Sequence, residues 1–579
     1  MVPSKDCGWP QGASCAAIPA IREALILCPP FQTLIPLRTT QTLRNVMDNR
    51  RLIISVVICI VLLFGWQALS EYMGWIPAQP QPVATEQQPQ AEPQPAAPAA
   101  PVIPAAKFVP SEGREVRVDT PLYEAVFHSG GGVLQSFKLK NYNASIEPGS
   151  PLFNMVSPAA ATVAPMGLLI NGQPSWNMGQ WSFDGSDITL ETGDATLTFV
   201  GEMNGIRISR AITFHADTYL MDEKVTLTSA TPTSAARVSY SLGATDLSGK
   251  SNYDAMSMAW NLKGSLERDT DVEDLTNEGV MSSGDIYWAG LMTNYFLSAV
   301  LPETGQNTVF KGRTTDGGVW RAAVELQDIT LNADQPSELH TAWWLGPKSR
   351  DLLDAAPNDL KSSINMGIFS FLAVPLLKLL TIFEGFLGNW GLAIILLTVL
   401  IKIVFWPLSR KSFKSMEQMK KLQPMMKQLQ EKYKDDKEAL SREMMQLYKT
   451  YGVNPMGGCL PILIQLPVFV ALYQALLNCI ELRHASFITY LPGTDMLWLA
   501  DLSVKDPFYI TPLVMGATMF LQQWLSPAMG DPQQRKIMMI MPVVFTVMFI
   551  NFPSGLVLYW LCNNILSIIQ QSWTLRKTR

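Results

Sequence analysis

Apolar runs long enough to cross a bilayer flank a polar stretch of roughly 240 residues in this sequence, and that layout admits few folds. The first run, Leu52 to Leu69, follows Arg50 and Arg51. Positive residues stay on the cytosolic side, so this run reads as an anchor with its N-terminus inside. The following Ser70-Glu-Tyr-Met-Gly-Trp75 offers no small-residue cleavage site, which favours an uncleaved anchor over a signal peptide. Residues 1–46 fit nothing downstream and read as a mis-called start or an unstructured extension, with the natural start at Met47 and an anchor over 47–70. Residues 71–106, rich in Pro, Gln and Ala, read as an extended tether.

Between 107 and 350 the pattern changes to short alternating runs broken by Gly, Asn and Asp. Val116–Val118, Ile188–Thr192, Ala195–Val200, Ile206–Arg210 and Val225–Ser229 are examples. They predict an all-β sandwich large enough to bury its own core without disulfides. Lys107 to His340 holds 28 Asp+Glu against 15 Lys+Arg, whereas Ser409 to Thr450 holds 11 Lys+Arg against 6 Asp+Glu. The two blocks therefore belong on opposite sides of the membrane.

Charge parity then decides which C-terminal runs cross. An odd number of crossings must link the outer acidic block to the inner basic one. The run Ile364–Phe386, interrupted by Pro375, Lys378 and Glu384, is expected to lie along the interface within an amphipathic region 351–387. Spans are expected over 389–408, 456–480, 507–526, 537–552 and 555–573, with Phe552-Pro-Ser-Gly555 as the last turn. The last pair would be about 15 residues each, roughly 22 Å of helix. That is short of a hydrocarbon core of about 30 Å and implies local thinning. The fold class is thus a multi-domain membrane protein of six helical spans, both termini cytosolic, with a large all-β domain outside.

Lys402 stands in the apolar segment Ile394–Pro407, and no carboxylate in the later spans can pair with it. It either snorkels towards Arg410 or lines a water-filled cavity. Thr398 shares its helix face one turn away, and Gln465, Gln474, Asn551, Asn563, Asn564, Tyr559 and Trp560 add polar groups on later spans. Singly they satisfy interhelical hydrogen bonding; with an unpaired lysine they favour a polar cavity. The block 409–450 reads as a helical hairpin turning at Lys432–Lys437, with Met416, Met419, Leu422 and Met426 recurring at helical spacing beside Lys420, Lys421 and Lys427. These stripes either pack on each other or present an adaptable Met-rich surface edged with charge.

No HExxH, GxSxG or phosphate-loop pattern occurs, and the seven cysteines form no CxxC or Cys/His metal spacing. An enzyme, a cofactor and a metal centre are therefore not expected. An inverted-repeat transporter is the main alternative, but no internal repeat is visible. A membrane-anchored assembly scaffold is the other; it would have no use for Lys402.

Several segments resemble the YidC/Oxa/Alb family of membrane insertases in its Gram-negative form. They are Met47-Asp-Asn-Arg-Arg51, Gly388-Asn-Trp-Gly391, Tyr451-Gly-Val-Asn-Pro-Met-Gly-Gly-Cys-Leu-Pro461, Gln465-Leu-Pro467, Met515-Gly-Ala-Thr-Met-Phe520 and Phe552-Pro-Ser-Gly-Leu-Val-Leu-Tyr559. The resemblance is strongest over 388–573. It implies a periplasmic β-super-sandwich, an interfacial helix and a five-helix insertase core over 388–579. That core encloses a hydrophilic groove open to cytosol and lipid. It implies an insertase and chaperone for integral inner-membrane proteins, working alone or with the Sec translocon. It also implies that Lys402, Thr398, Gln465, Tyr559 and Trp560 line the groove, and that Phe469, Leu472, Met548 and Phe549 form an apolar slide for the leaving client helix. The implied partners are nascent membrane proteins, SecYEG, SecDF, the lipid bilayer, and the ribosome and targeting factors on the cytosolic loops. No sequence-specific nucleic acid contact is implied. The family's basic ribosome-binding tail has little counterpart after Trp573, which would leave ribosome contact to the hairpin and to Pro527–Arg535.

Overall fold

The computed structural model describes residues 107–576 except 110–112, 231–232, 249–253, 316, 334, 435, 454–459 and 526–531. The expected extension 1–46, anchor 47–70 and tether 71–106 lie outside the described residues.

Alternation builds the β-domain. In β1 (Glu115–Asp119), β2 (Tyr123–His128) and β3 (Val133–Asn143) every second side chain is buried over most of their length. These strands pair antiparallel within a five-stranded sheet. A fourteen-stranded sheet faces it. Part of its order is β7 (Val280–Met292), β8 (Phe296–Pro302), β9 (Ser337–Pro347), β6 (Leu220–Ser229), β5 (Ile206–His215) and β4 (Asp194–Met203). The two inner faces interlock through aromatic rings. Phe127 meets Phe214 edge-on at 5.6 Å between ring centres and Phe199 at 6.3 Å. The predicted strand at Ile188–Thr192 is shorter than expected, covering Ile188–Thr189 alone, parallel to β1.

One charged pair sits at the centre of this apolar core. Val225 is the register partner of Arg210 and Ile212 that of Glu223, so the pair lies diagonally across β5 and β6. Arg210 Nε meets Glu223 Oε1 at 2.7 Å, and both side chains are fully buried. The remaining guanidinium donors reach the carbonyls of Gly131, Gly132 and Met166, and Trp343 Nε1 donates to the other Glu223 oxygen. Glycine is required at 131 and 132: both have positive φ, and an added Cβ would meet Trp176 or Phe199 at 2.9 and 2.8 Å.

Seven helices longer than ten residues follow among the described residues. They are α1 (Ser370–Leu387), α2 (Trp390–Lys432), α3 (Lys437–Thr450), α4 (Leu460–Leu477), α5 (Ile510–Leu525), α6 (Pro532–Phe549) and α7 (Ser554–Arg576). Gly388 ends α1 in the left-handed region, and Asn389 caps α2 by accepting from the Leu392 N–H. The expected span and the first hairpin arm are one unbroken helix of 43 residues, with Pro407 and Pro424 inside it. α2 ends at Lys432 and α3 begins at Lys437. The two closing helices differ from expectation. They run 18 and 23 residues rather than about 15, because polar ends at Pro532–Lys536 and Asn563–Arg576 continue the helical backbone. Their lengths are roughly 27 and 34 Å, but the apolar part of α6 is Met539–Phe549 alone, roughly 16 Å of helix, which stays short of a hydrocarbon core of about 30 Å. At Gly516 of α5 an added Cβ would stand 2.0 Å from Thr546 Oγ1 of α6, so a small residue sets that crossing.

The β-domain is fastened to the helices at the α4–α5 connection. Arg483 donates to the Asn143 carbonyl at 3.0 Å and lies over the Phe153 and Phe296 rings at 5.1 and 5.2 Å. Ile480 is buried in the β-domain core itself. The same connection closes the neighbouring helix ends. Asp506 accepts from Thr511 N–H and from Trp498 Nε1, while Ser554 and Gly555 N–H donate to the carbonyls of Val504 and Leu502.

Candidate functional site

The site is built on one face of α7. Tyr559, Asn563, Ser567, Gln570 and Thr574 recur every three or four residues and form a polar stripe along an otherwise apolar helix. α2 packs against this stripe, and α4 meets its upper end. Gln465 of α4 donates to the Tyr559 hydroxyl at 2.6 Å. Lys402 of α2 donates to Ser567 Oγ at 2.7 Å, and Ser567 in turn donates to the Asn563 carbonyl. Lys402 is half-buried with no carboxylate in ion-pair distance among the described residues. It reaches across to α7, which distinguishes its observed rotamer from one extended towards Arg410.

Below Lys402 the stripe continues. Gln570 Nε2 donates to the Trp406 carbonyl at 3.3 Å, Gln571 Nε2 to that of Leu525 at 3.3 Å, and Trp406 meets Trp573 edge-on at 5.6 Å. Beside it, Trp560 Nε1, Asn563 Oδ1 and Asn564 Nδ2 are buried with no protein partner among the described residues. Buried polar atoms of this kind are stable only where water or a ligand group can reach them.

Of the five groove residues named from the sequence, Lys402, Gln465 and Tyr559 come together along α7. Thr398 is buried on the same face, but its hydroxyl bonds back to the Ile394 carbonyl of its own helix. Trp560 turns to an aromatic cluster, 4.7 Å from Phe469 and 5.3 Å from Phe549. The four slide residues divide. Leu472 and Phe549 are fully buried in helix packing, Phe469 is half-buried and Met548 is exposed.

The hairpin divides in the same way. Met419 and Leu422 form a small core with Val453, and Met426 and Tyr448 pack against it. Met416 and Met426 are half-buried, while Lys420, Lys421 and Lys427 are exposed. Met419 is therefore covered by hairpin packing. The methionines presented outward are Met425 and Met445, which the sequence reading passed over. It also passed over Ser567, Gln570 and Thr574, although their spacing with Tyr559 and Asn563 was visible in the sequence.

A β-domain joined to an apolar helical core that carries one carboxylate-free lysine defines a membrane-integral protein with a soluble domain. Residues 115–379 match the family model described as the YidC periplasmic domain, and 382–579 match the 60Kd inner membrane protein model. A membrane protein insertase YidC of Nitratidesulfovibrio vulgaris (strain Hildenborough) is 56% identical over 92% of this chain and 100% of its own. That of Lawsonia intracellularis is 51% identical over 92% and 100%. A solved structure of an active YidC insertase is 19% identical, covering 82% of this chain and 95% of that one, with a TM-score of 0.34. The chain belongs to the YidC family of membrane protein insertases. It is an inner-membrane protein with a periplasmic β-domain, and an insertase, not an enzyme.

Proposed function

We propose that this chain moves the polar tail of a client membrane protein through the α2–α4–α7 groove, using Lys402 as a fixed charge on the path. The observation that carries the reading is the partner of Lys402: a single hydroxyl, Ser567, with no carboxylate in α4, in α7 or in residues 390–416 of α2. An ammonium so weakly paired attracts an incoming carboxylate. A client tail cannot cross hydrocarbon unaided, and a wet groove shortens its crossing. Release of the client's apolar helix into lipid then supplies the driving force.

The wider frame belongs to the same proposal. Six spans, 47–70 and five in a 388–579 core, place both termini and the 409–450 hairpin in the cytosol. The β-domain over 107–350 and the region 351–387 stand in the periplasm. α1 is long and apolar enough to cross a membrane itself, and charge parity is what assigns it to the interface. The 501–506 segment stapled to the start of α7 would close the groove on the periplasmic side. Nascent membrane proteins and lipid are the immediate partners. SecYEG and SecDF are further partners, and the ribosome and targeting factors would meet the exposed Lys420, Lys421, Lys427, Met425 and Met445.

Reconstitution in liposomes with a small client tests the groove. Lys402→Arg should retain insertion, Lys402→Ala should slow it most for acidic tails, and Lys402→Glu should be worst. Equal rates for Lys402→Glu and wild type on an acidic tail would overturn the reading.

A further inference from the structure

A cavity of about 310 Å³ lies outside the groove, where the chain leaves β9, passes under α1 and meets the residues after α4. Its walls divide by chemistry. Lys348, Arg350 and Lys378 bring positive charge to one region, with Asp351 and Glu481 nearby, while Leu377 and Ile382 of α1 form an apolar wall. None of the three cations has a carboxylate in ion-pair distance among the described residues. Lys348 is almost wholly buried, and its ammonium is met by the Thr293 carbonyl at 3.0 Å and, more distantly, by Met292 sulfur. Arg350 and Lys378 make no hydrogen bond among the described residues.

Arg350 and Lys378 leave their donors free beside this cavity although Asp351 and Glu481 stand nearby, and the buried Lys348 closes the same wall. An anion entering between the two can accept from both. The cavity falls in the usual range for small-ligand sites. The surface of α1 continues its apolar wall, with Phe371 and Phe386 exposed by 72% and 85%. A headgroup-sized polar chamber opening onto an exposed apolar helix suits an amphiphile and not a free ion.

We propose that this cavity binds the phosphodiester headgroup of a phospholipid of the outer leaflet, with its acyl chains along α1. Arg350 and Lys378 hold the phosphate, and Asp351 and Glu481 suit a headgroup that carries an amine. The inference rests on α1 lying at the periplasmic surface, as proposed above. The bound lipid would tie the β-domain to the membrane beside α1 and the end of α4.

Native mass spectrometry of the full chain, released from membranes in mild detergent, tests it. Wild type should retain a phospholipid through stepwise delipidation. Arg350→Glu/Lys378→Glu should lower the occupancy at least fivefold, with Lys378→Arg restoring it and the melting temperature reporting the fold. Equal occupancy in wild type and the double variant overturns the site. Titration of dihexanoyl phosphatidylethanolamine and inorganic phosphate separates the two sources. Short-chain lipid should bind the wild type more tightly, and phosphate binding as tightly as lipid overturns the lipid assignment. A double variant that loses lipid but still inserts a client speaks to this site alone. Failed insertion by Lys402→Glu with lipid retained speaks to the groove alone.

Discussion

The β-domain and the helical core each bury a basic side chain, and they treat it in opposite ways. Arg210 is surrounded. A carboxylate and three carbonyls take its donors, and Trp343 satisfies the far side of its partner. Lys402 receives one hydroxyl. A fully paired charge in a dry core has nothing left to offer a visitor and serves register and rigidity. A charge left one partner short keeps most of its field for whatever enters beside it. Burial alone therefore does not mark function; incomplete pairing beside other unpartnered polar atoms does.

The contrast predicts a largest effect on stability at Arg210. Arg210→Ala leaves Glu223 charged and buried, a change that costs about 3–5 kcal/mol. Thermal unfolding of the full protein in detergent should show the β-domain transition falling sharply, and an unmoved transition would mean the pair contributes nothing structural. Lys402 should behave in reverse. Lys402→Met should leave the unfolding midpoint unchanged or raise it, while Lys402→Glu should slow insertion of an acidic-tailed client by about tenfold or more, about 1.4 kcal/mol. Paired measurement of midpoint and insertion rate on both variants decides whether the two lysine roles separate.

A smaller effect belongs to the Gln465–Tyr559 bond at the upper end of the stripe. Tyr559→Phe removes one neutral hydrogen bond, worth about 1 kcal/mol. It should lower the helical-core midpoint by a few degrees at most and affect acidic and neutral clients alike. A selective loss for acidic tails would extend the charge-sensing role beyond Lys402.

The smallest effect lies on the β-domain surface. Burial opposes charge on His215, but the carboxylates of Asp194 and Asp222, at 2.7 and 3.0 Å, outweigh it and hold the imidazole above its ordinary value. The stabilisation is then fully present below about pH 6.5, the unperturbed imidazole value, and is lost as pH climbs through the raised folded value. His215→Gln should lower the β-domain midpoint slightly in mild acid and not at all well above neutrality. A pH-independent difference would assign the effect to packing.

What the sequence revealed follows from which signals are local. Strand alternation in β1 to β6 is written in neighbouring residues, as are the caps at Asn389 and Gly388 and the break between α2 and α3. The ends of α6 and α7 reach beyond the apolar runs because hydropathy marks where lipid stops, not where backbone hydrogen bonding stops. Met419 and Met425 stand six residues apart on the same amphipathic helix, and only the position of α3 decides which one is covered. Ser567 escaped notice because a hydroxyl in an apolar helix bonds its own backbone at little cost. Its value comes from Lys402, which lies 165 positions away in the chain.

The unbroken α2 has a mechanical consequence. A helix is stiff over its length and bends most readily at proline, so α2 divides at Pro407 and Pro424. Lys402 lies five residues, roughly 8 Å, inside Pro407. A bend at either proline absorbs motion of the hairpin tip before it reaches the ammonium, so the hairpin can swing with the Lys402–Ser567 contact intact.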